Sequence, residues 1–431
     1  MKDTRTPVLL VSGLDAAAVD RTAQALVVAG TVVVHHDLRL LDDGIITRAI
    51  HAVDVDGTER TTVADLELVH GCLSCTLRED LLPLLRRLHR RSNVETIIVA
   101  LDPTMEPEAV SFAVDNVIVA DMPGFLDAPA GVDVRINATL TCVDEATWLD
   151  HATGDDPLAE VCDGAVGDDE RTLAQVAVGQ VAFADALVVA GCSPAQRNAW
   201  DSTRMMAVLR RLAPSAPMIL ELSERPMTPL MAMRLIASIP STSRRGRIDM
   251  PHDPLLRGTP QLEADCGVQI VEFHSERPFH PERLHDAIDT LLDGVVSSKG
   301  RLWLATQPEE SLWLESAGGG LQVATGGRWL AAMDDEERSS ESAERVAMAA
   351  LRWDPQFGDR HSSLVILVHS ADPDEICSAL RRACLTDTEM ALGQQLWLAY
   401  PDPFGHFHAD PCEESAGQPS LSAADDRQER P

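Results

Sequence analysis

Pro7-Val8-Leu9-Leu10-Val11-Ser12-Gly13 is an apolar run that ends in glycine. Such a run reads as a buried strand that breaks into a tight turn. Working outward, residues 16–29 read as a helix and Thr31-Val32-Val33-Val34 as a second strand. Residues 44–53 and 58–69 read as a strand pair, with Asp56-Gly57 near the turn. From Leu77 to Arg90 the apolar positions Leu77, Leu81, Leu84, Leu85 and Leu88 follow a helical period. The strand Thr96-Ile97-Ile98-Val99-Ala100-Leu101, a helix from Pro107 and a strand at 134–143 come next. A helix at 169–183, a strand at 186–190, a helix at 195–213 and a strand at 217–222 complete the series. Strands alternating with helices imply an α/β fold, a mainly parallel sheet with helices on both faces.

The pattern changes at 240–267. Pro240, Gly246, Pro251, Pro254, Gly258 and Pro260 break any period, and Arg244, Arg245 and Arg247 cluster among them. This stretch reads as a linker. The chain divides into a first domain at 1–239, the linker at 240–267, a smaller α+β domain at 268–404 and a disordered acidic tail at 405–431. The second domain mixes strands near 295–306, 311–316, 321–325 and 363–369 with helices at 280–293, 342–350 and 373–383. Its Trp303, Trp313 and Trp329 read as core residues on strands.

A chain of 431 residues is too long for one ordinary core. No apolar run reaches the roughly 18 residues of a membrane span, and Met1 to Pro7 has no apolar signal region. The expectation is a soluble, cytoplasmic protein. The formal net charge is −32, and Lys2 and Lys299 are the only lysines. A surface this acidic is repelled by bare nucleic acid, which excludes direct sequence-specific binding to it. A basic protein or a cation suits it as partner; the plainer reading is that the charge serves solubility alone.

The run Gly71-Cys72-Leu73-Ser74-Cys75-Thr76-Leu77-Arg78-Glu79-Asp80 carries the chemistry. Two thiols at this spacing, opening a helix, can share a soft metal ion or form a redox pair. Zinc takes thiolate and imidazole ligands in tetrahedral geometry, so His70 is a candidate third ligand beside Cys72 and Cys75. The positive end of the helix favours thiolate in either case. The nine cysteines are odd in number and scattered, which excludes a disulfide framework. Cys142, Cys192 and Cys377 sit in apolar runs and read as core. His406, His408 and Cys412 in the tail can bind metal weakly, although a solvated tail is the simpler reading.

A phosphate-binding loop belongs at the first strand-turn-helix of such a chain. It needs a second glycine, then a lysine, then a hydroxyl residue. The sequence supplies Gly13-Leu14-Asp15-Ala16-Ala17-Ala18-Val19-Asp20-Arg21-Thr22. Gly13 is a remnant of such a loop; the second glycine and the lysine are missing, and Asp15 and Asp20 place negative charge where phosphate belongs. The guanine-reading Asn-Lys-x-Asp is also replaced, by Ala190-Gly191-Cys192-Ser193. No catalytic residue for nucleotide hydrolysis follows, and GTP has no evident site.

The chain resembles the cobalamin-synthesis-W-like metallochaperone GTPases, a branch of the SIMIBI P-loop proteins. The resemblance rests on Gly71 to Asp80, with Ser74 in place of the family's middle cysteine. It rests also on Arg277-Pro278-Phe279-His280-Pro281-Glu282-Arg283-Leu284, on Ser298-Lys299-Gly300-Arg301-Leu302-Trp303-Leu304-Ala305-Thr306, and on Cys384-Leu385-Thr386-Asp387 with Pro401-Asp402-Pro403-Phe404. It implies a P-loop GTPase-type sheet with a degraded P-loop, followed by the family's α+β domain. The Cys-x-x-Cys form with a degraded loop is similar to an actinobacterial branch that recruits a ribosome hibernation factor. That resemblance implies a zinc-responsive adaptor, with the basic hibernation factor and the 70S ribosome as partners under zinc limitation. A GTP-dependent zinc metallochaperone and a thiol redox protein are the alternative readings.

Overall fold

The structure is a computed structural model, and it describes residues 3–68, 72–167, 169–191, 198–222 and 224–405. His70, Gly71, Cys192, His406, His408 and Cys412 lie outside the described residues, as does the rest of the tail beyond Gly405.

Eight strands form the first sheet: β1 (Thr6–Gly13), β2 (Thr31–Asp37), β3 (Ile45–Val53), β4 (Glu59–Glu67), β5 (Thr96–Ala100), β6 (Val134–Asp144), β7 (Ala186–Ala190) and β8 (Met218–Glu221). Their order is β8-β7-β6-β1-β5-β2-β3-β4. All pairs from β8 to β2 are parallel. The pairs β2–β3 and β3–β4 are antiparallel, which adds the expected strand pair as an edge hairpin. The outer strand β4 is short of apolar side chains and carries Glu59, Arg60, Asp65 and Glu67, a charged edge that discourages pairing with another sheet.

Successive side chains on β1 face opposite sides. Val8 and Leu10 pack with Leu81, Leu85 and Leu88 of the helical run after Cys72 and with Val110 of helix Pro107–Asn116. Leu9 and Val11 pack with Ala18, Val19 and Ala23 of helix Ala16–Ala25 and with Leu235 of helix Pro229–Ser238. The parallel sheet is therefore covered on both faces, as its nearly continuous apolar strands require.

Two local differences from the sequence reading have physical causes. The first helix stops at Ala25, not at residue 29. Val27 and Val28 are β-branched and add little to a helix, and Gly30 turns into β2 with φ of +80°. The helix expected from Leu77 to Arg90 is a composite: an α turn at Leu73–Cys75, a π turn at Thr76–Leu81 and an α-helix at Leu82–His89. Pro83 cannot donate to the carbonyl four residues back and its ring crowds that group, so the ladder widens just before it. The apolar stripe survives the widening, and Leu77, Leu81, Leu84, Leu85 and Leu88 are all buried.

The second sheet comprises β9 (Gln269–Ser275), β10 (Val295–Leu302), β11 (Glu310–Ala317), β12 (Gly320–Arg328) and β13 (Ser362–Val368). Its order is β9-β13-β10-β11-β12, and every pair is antiparallel. One face packs on helices Pro281–Ala287 and Pro373–Ala383. The other face presents Ile270, Val296 and Leu367 to Val178, Val181, Leu187 and Val208 of the first domain. The two sheets thus share an apolar core. Trp303 and Trp329 are fully buried but lie just beyond strand ends, with Trp397 beside them. Trp313 is on β11 and only half-buried.

Leu85 is wholly buried between the motif helix and the first sheet. Leu85→Ala is expected to lower the unfolding free energy by about 2–5 kcal/mol, read as a lower urea midpoint at unchanged slope.

Candidate metal-binding turn

Cys72 is the last extended residue before the helical run, with φ of −139° and ψ of 158°. Its Sγ accepts the backbone N–H of Cys75 at 3.4 Å, the position a Ser or Asp side chain takes at a helix N-cap. The Thr76 N–H donates to the Cys72 carbonyl at 3.1 Å, and the Thr76 hydroxyl donates to the same oxygen at 3.3 Å. The turn is thereby closed at its base. Both thiols are half-buried and neither is in a disulfide. Three residues apart on a helical turn, they lie on one face, at the end where unsatisfied N–H groups stabilise negative charge.

What anchors this turn is Asp80. Its carboxylate is buried, and one oxygen meets His36 Nε2 at 2.7 Å while the other receives Arg48 Nη1. His36 comes from β2 and Arg48 from β3, so one side chain ties the π turn to two neighbouring strands. Sequence reasoning quoted Asp80 within the motif and passed over His36 and Arg48. The available signal was a carboxylate adjoining the buried stripe of Leu77 and Leu81, where an unpaired charge is not tolerated.

As candidate zinc ligands, Cys72 and Cys75 would supply a two-thiol half-site. Among the described residues no group of three His, Cys, Asp or Glu side chains is placed to hold a metal ion. The chemistry of the pair fits zinc: two thiols at a helix N-terminus, on one face and within reach of solvent. They supply two ligands, and the expected third, His70, falls outside the described residues.

The loop after β1 does not fit a nucleotide. Gly13 has φ of +153°, and a Cβ there would come within 2.6 Å of the Cys142 carbonyl oxygen on β6. The glycine is required for strand packing. Asp15 caps the following helix, and its carboxylate accepts the Ala17 N–H at 2.9 Å. A carboxylate thus occupies the place where phosphate oxygens would meet backbone amides. Arg21, the nearest cation in the helix, pairs with buried Glu221 of β8 at 3.1 Å. That carboxylate also accepts the Met227 N–H at 3.0 Å. Residues 192–197, where a base-reading motif would stand, lie outside the described residues.

The other cysteines contrast with the pair. Cys142 is enclosed, its Sγ lies 3.3 Å from the Thr22 hydroxyl, and burial pushes its thiol up to about 12. Burial likewise pushes Cys162 up to about 11. Cys377 packs against the second core and is half-buried.

Two outcomes follow. Asp80→Ala leaves Arg48 without its carboxylate partner, and the unfolding free energy is expected to fall by about 3 kcal/mol in chemical denaturation. In native protein at pH 8, iodoacetamide is expected to label Cys72 and Cys75 well before Cys142, whose thiol is neutral and enclosed there; peptide mapping by mass spectrometry checks this.

Two family models match the chain. Residues 34–220 match the CobW/HypB/UreG nucleotide-binding domain, and residues 268–384 match the cobalamin synthesis protein cobW C-terminal domain. The first match begins downstream of the Gly13 loop. A protein of Mycobacterium tuberculosis (strain H37Rv) named a zinc chaperone is 48% identical over 410 residues, covering 95% of each chain. A Dictyostelium discoideum protein named zinc-regulated GTPase metalloprotein activator 1 is 26% identical over 356 residues, covering 80% of this chain and 71% of that one. Among solved structures, the Zn(II)-bound YjiA GTPase of E. coli aligns with a TM-score of 0.34 and 13% identity, over 88% of this chain and 99% of that one. By the near-complete span of its closely similar relatives and by both domain matches, the chain belongs to the CobW family.

Proposed function

We propose that this protein is a zinc-responsive adaptor that acts without GTP hydrolysis. The observation that carries the reading is a contrast within one domain. The Cys72–Cys75 turn is intact, capped and anchored through Asp80, while the loop after β1 is closed to phosphate by Asp15 and the Arg21–Glu221 pair. A two-thiolate half-site suits a sensor that fills and empties with zinc supply better than a permanent store. The similarity to a protein named a zinc chaperone supports zinc as the metal.

The partner in this reading is a ribosome hibernation factor, which the protein recruits to 70S ribosomes when zinc is scarce. Hibernation factors bind RNA and are basic. A chain of net charge −32 attracts such a partner and speeds the encounter. Co-sedimentation with ribosomes and the factor, at low and at replete zinc, tests the reading. Wild type is expected to pellet with both at low zinc. The Cys72→Ala, Cys75→Ala double variant is expected to bind less zinc by metal analysis and to lose the zinc dependence of pelleting. Wild type that stays in the supernatant at every zinc level would falsify the adaptor role.

A second reading, a GTP-dependent zinc metallochaperone, is favoured by the match to a nucleotide-binding domain and by the relative named a GTPase metalloprotein activator. Titration with a fluorescent GTP analogue separates the two. The closed loop predicts no saturation in the micromolar range; saturation there would return GTP to the mechanism.

A further inference from the structure

A cavity of about 710 Å³ lies between the two domains, and no residue of the Cys72–Cys75 turn lines it. Its walls come from helix Leu173–Ala182 of the first domain, the 240–267 stretch and the shared face of the second sheet. Val178, Leu256, Ile270, Val365 and Leu367 make much of this lining apolar. The volume falls in the range of a small organic ligand, and the setting at a domain junction is where such sites concentrate.

The charged groups in the cavity are incompletely matched. The Lys299 side chain, on β10, makes no hydrogen bond or ion pair among the described residues. The Glu108 side chain, near the start of helix Pro107–Asn116, makes none either. Both line the cavity, from opposite domains. Behind Lys299, Arg244 and Arg257 share the single carboxylate of Asp249, at 2.8 Å and 2.7 Å. Glu315 stands directly opposite Lys299 across the β10–β11 pair and accepts only a long bond of 3.4 Å from Trp313 Nε1. Burial pushes the Lys299 ammonium down and desolvation at the cavity wall pushes the Glu108 carboxyl up, although each feels the attraction of the other, so each retains capacity for a close contact of opposite charge.

We infer that this interdomain cavity binds a small zwitterion with an apolar body, of the size class of a di- or tripeptide. Its anionic end meets Lys299, with Arg244 and Arg257 nearby, and its cationic end meets Glu108 of the other domain. The apolar walls take the side chains. A ligand so placed touches both domains and the linking stretch at once.

Calorimetric titration of the full chain with leucyl-leucine and trileucine tests this, alongside the N-acetylated and C-terminally amidated forms of each. The free peptides are expected to bind with Kd below ~1 mM, and either capped form more than ~10-fold more weakly. Lys299→Met and Glu108→Gln are each expected to weaken binding of the free peptides by more than ~10-fold, while Lys299→Arg retains it. Because neither side chain makes a hydrogen bond or ion pair among the described residues, both variants are expected to keep the wild-type circular dichroism and a melting midpoint no lower than that of wild type. Absence of saturable binding of both free peptides up to ~10 mM overturns the inference. So does equal binding of the N-acetylated forms, which identifies a purely anionic ligand, or equal binding by folded Lys299→Met protein.

Discussion

The architecture around the cysteine pair depends on one buried carboxylate. Asp80 sits inside a π turn and holds His36 and Arg48 on two strands. A charge in that position is unfavourable unless both of its oxygens are occupied. The requirement fixes the register of the helical run against β2 and β3, and with it the direction in which Cys72 and Cys75 leave the sheet. Pro83 contributes by forcing the ladder to widen where Asp80 must reach inward. The thiols at the mouth and the ion pairs at the base are two ends of one short segment.

The same domain shows how a phosphate loop closes. Asp15 accepts the Ala17 N–H at the start of the first helix, and Glu221 engages Arg21, the cation of that helix. Gly13 persists because β1 and β6 approach too closely for a side chain, a packing reason independent of any ligand. A fold can therefore keep the outline of a nucleotide-binding domain after its phosphate site has been filled by its own residues.

The second domain is joined to the first through an apolar core of β9, β10 and β13 residues against Val178, Val181, Leu187 and Val208. An interface of this kind keeps two domains in a fixed relation unless something enters between them. The interdomain cavity lies beside that core, and Glu108 and Lys299, one from each domain, reach into it with no ion pair among the described residues.

Much was legible in the chain itself. Apolar runs at Val8–Val11, Ile97–Ala100 and Ala186–Ala190, each set between helical periods, specify a covered parallel sheet, because only buried strands are apolar on both faces. The Leu77–Leu88 stripe specifies a helix lying on that sheet, and Cys72 and Cys75 at its start specify a thiol pair near solvent. Missing lysine and glycine in the first loop were equally readable. Only the tertiary structure decided the rest. His36 and Arg48 reach Asp80 from strands more than thirty residues away in sequence, and the cavity draws Glu108, Arg244 and Lys299 from three separate segments. Periodicity reports which face of an element is buried; it carries no record of which distant charge will lie opposite, because that is set by how the elements pack.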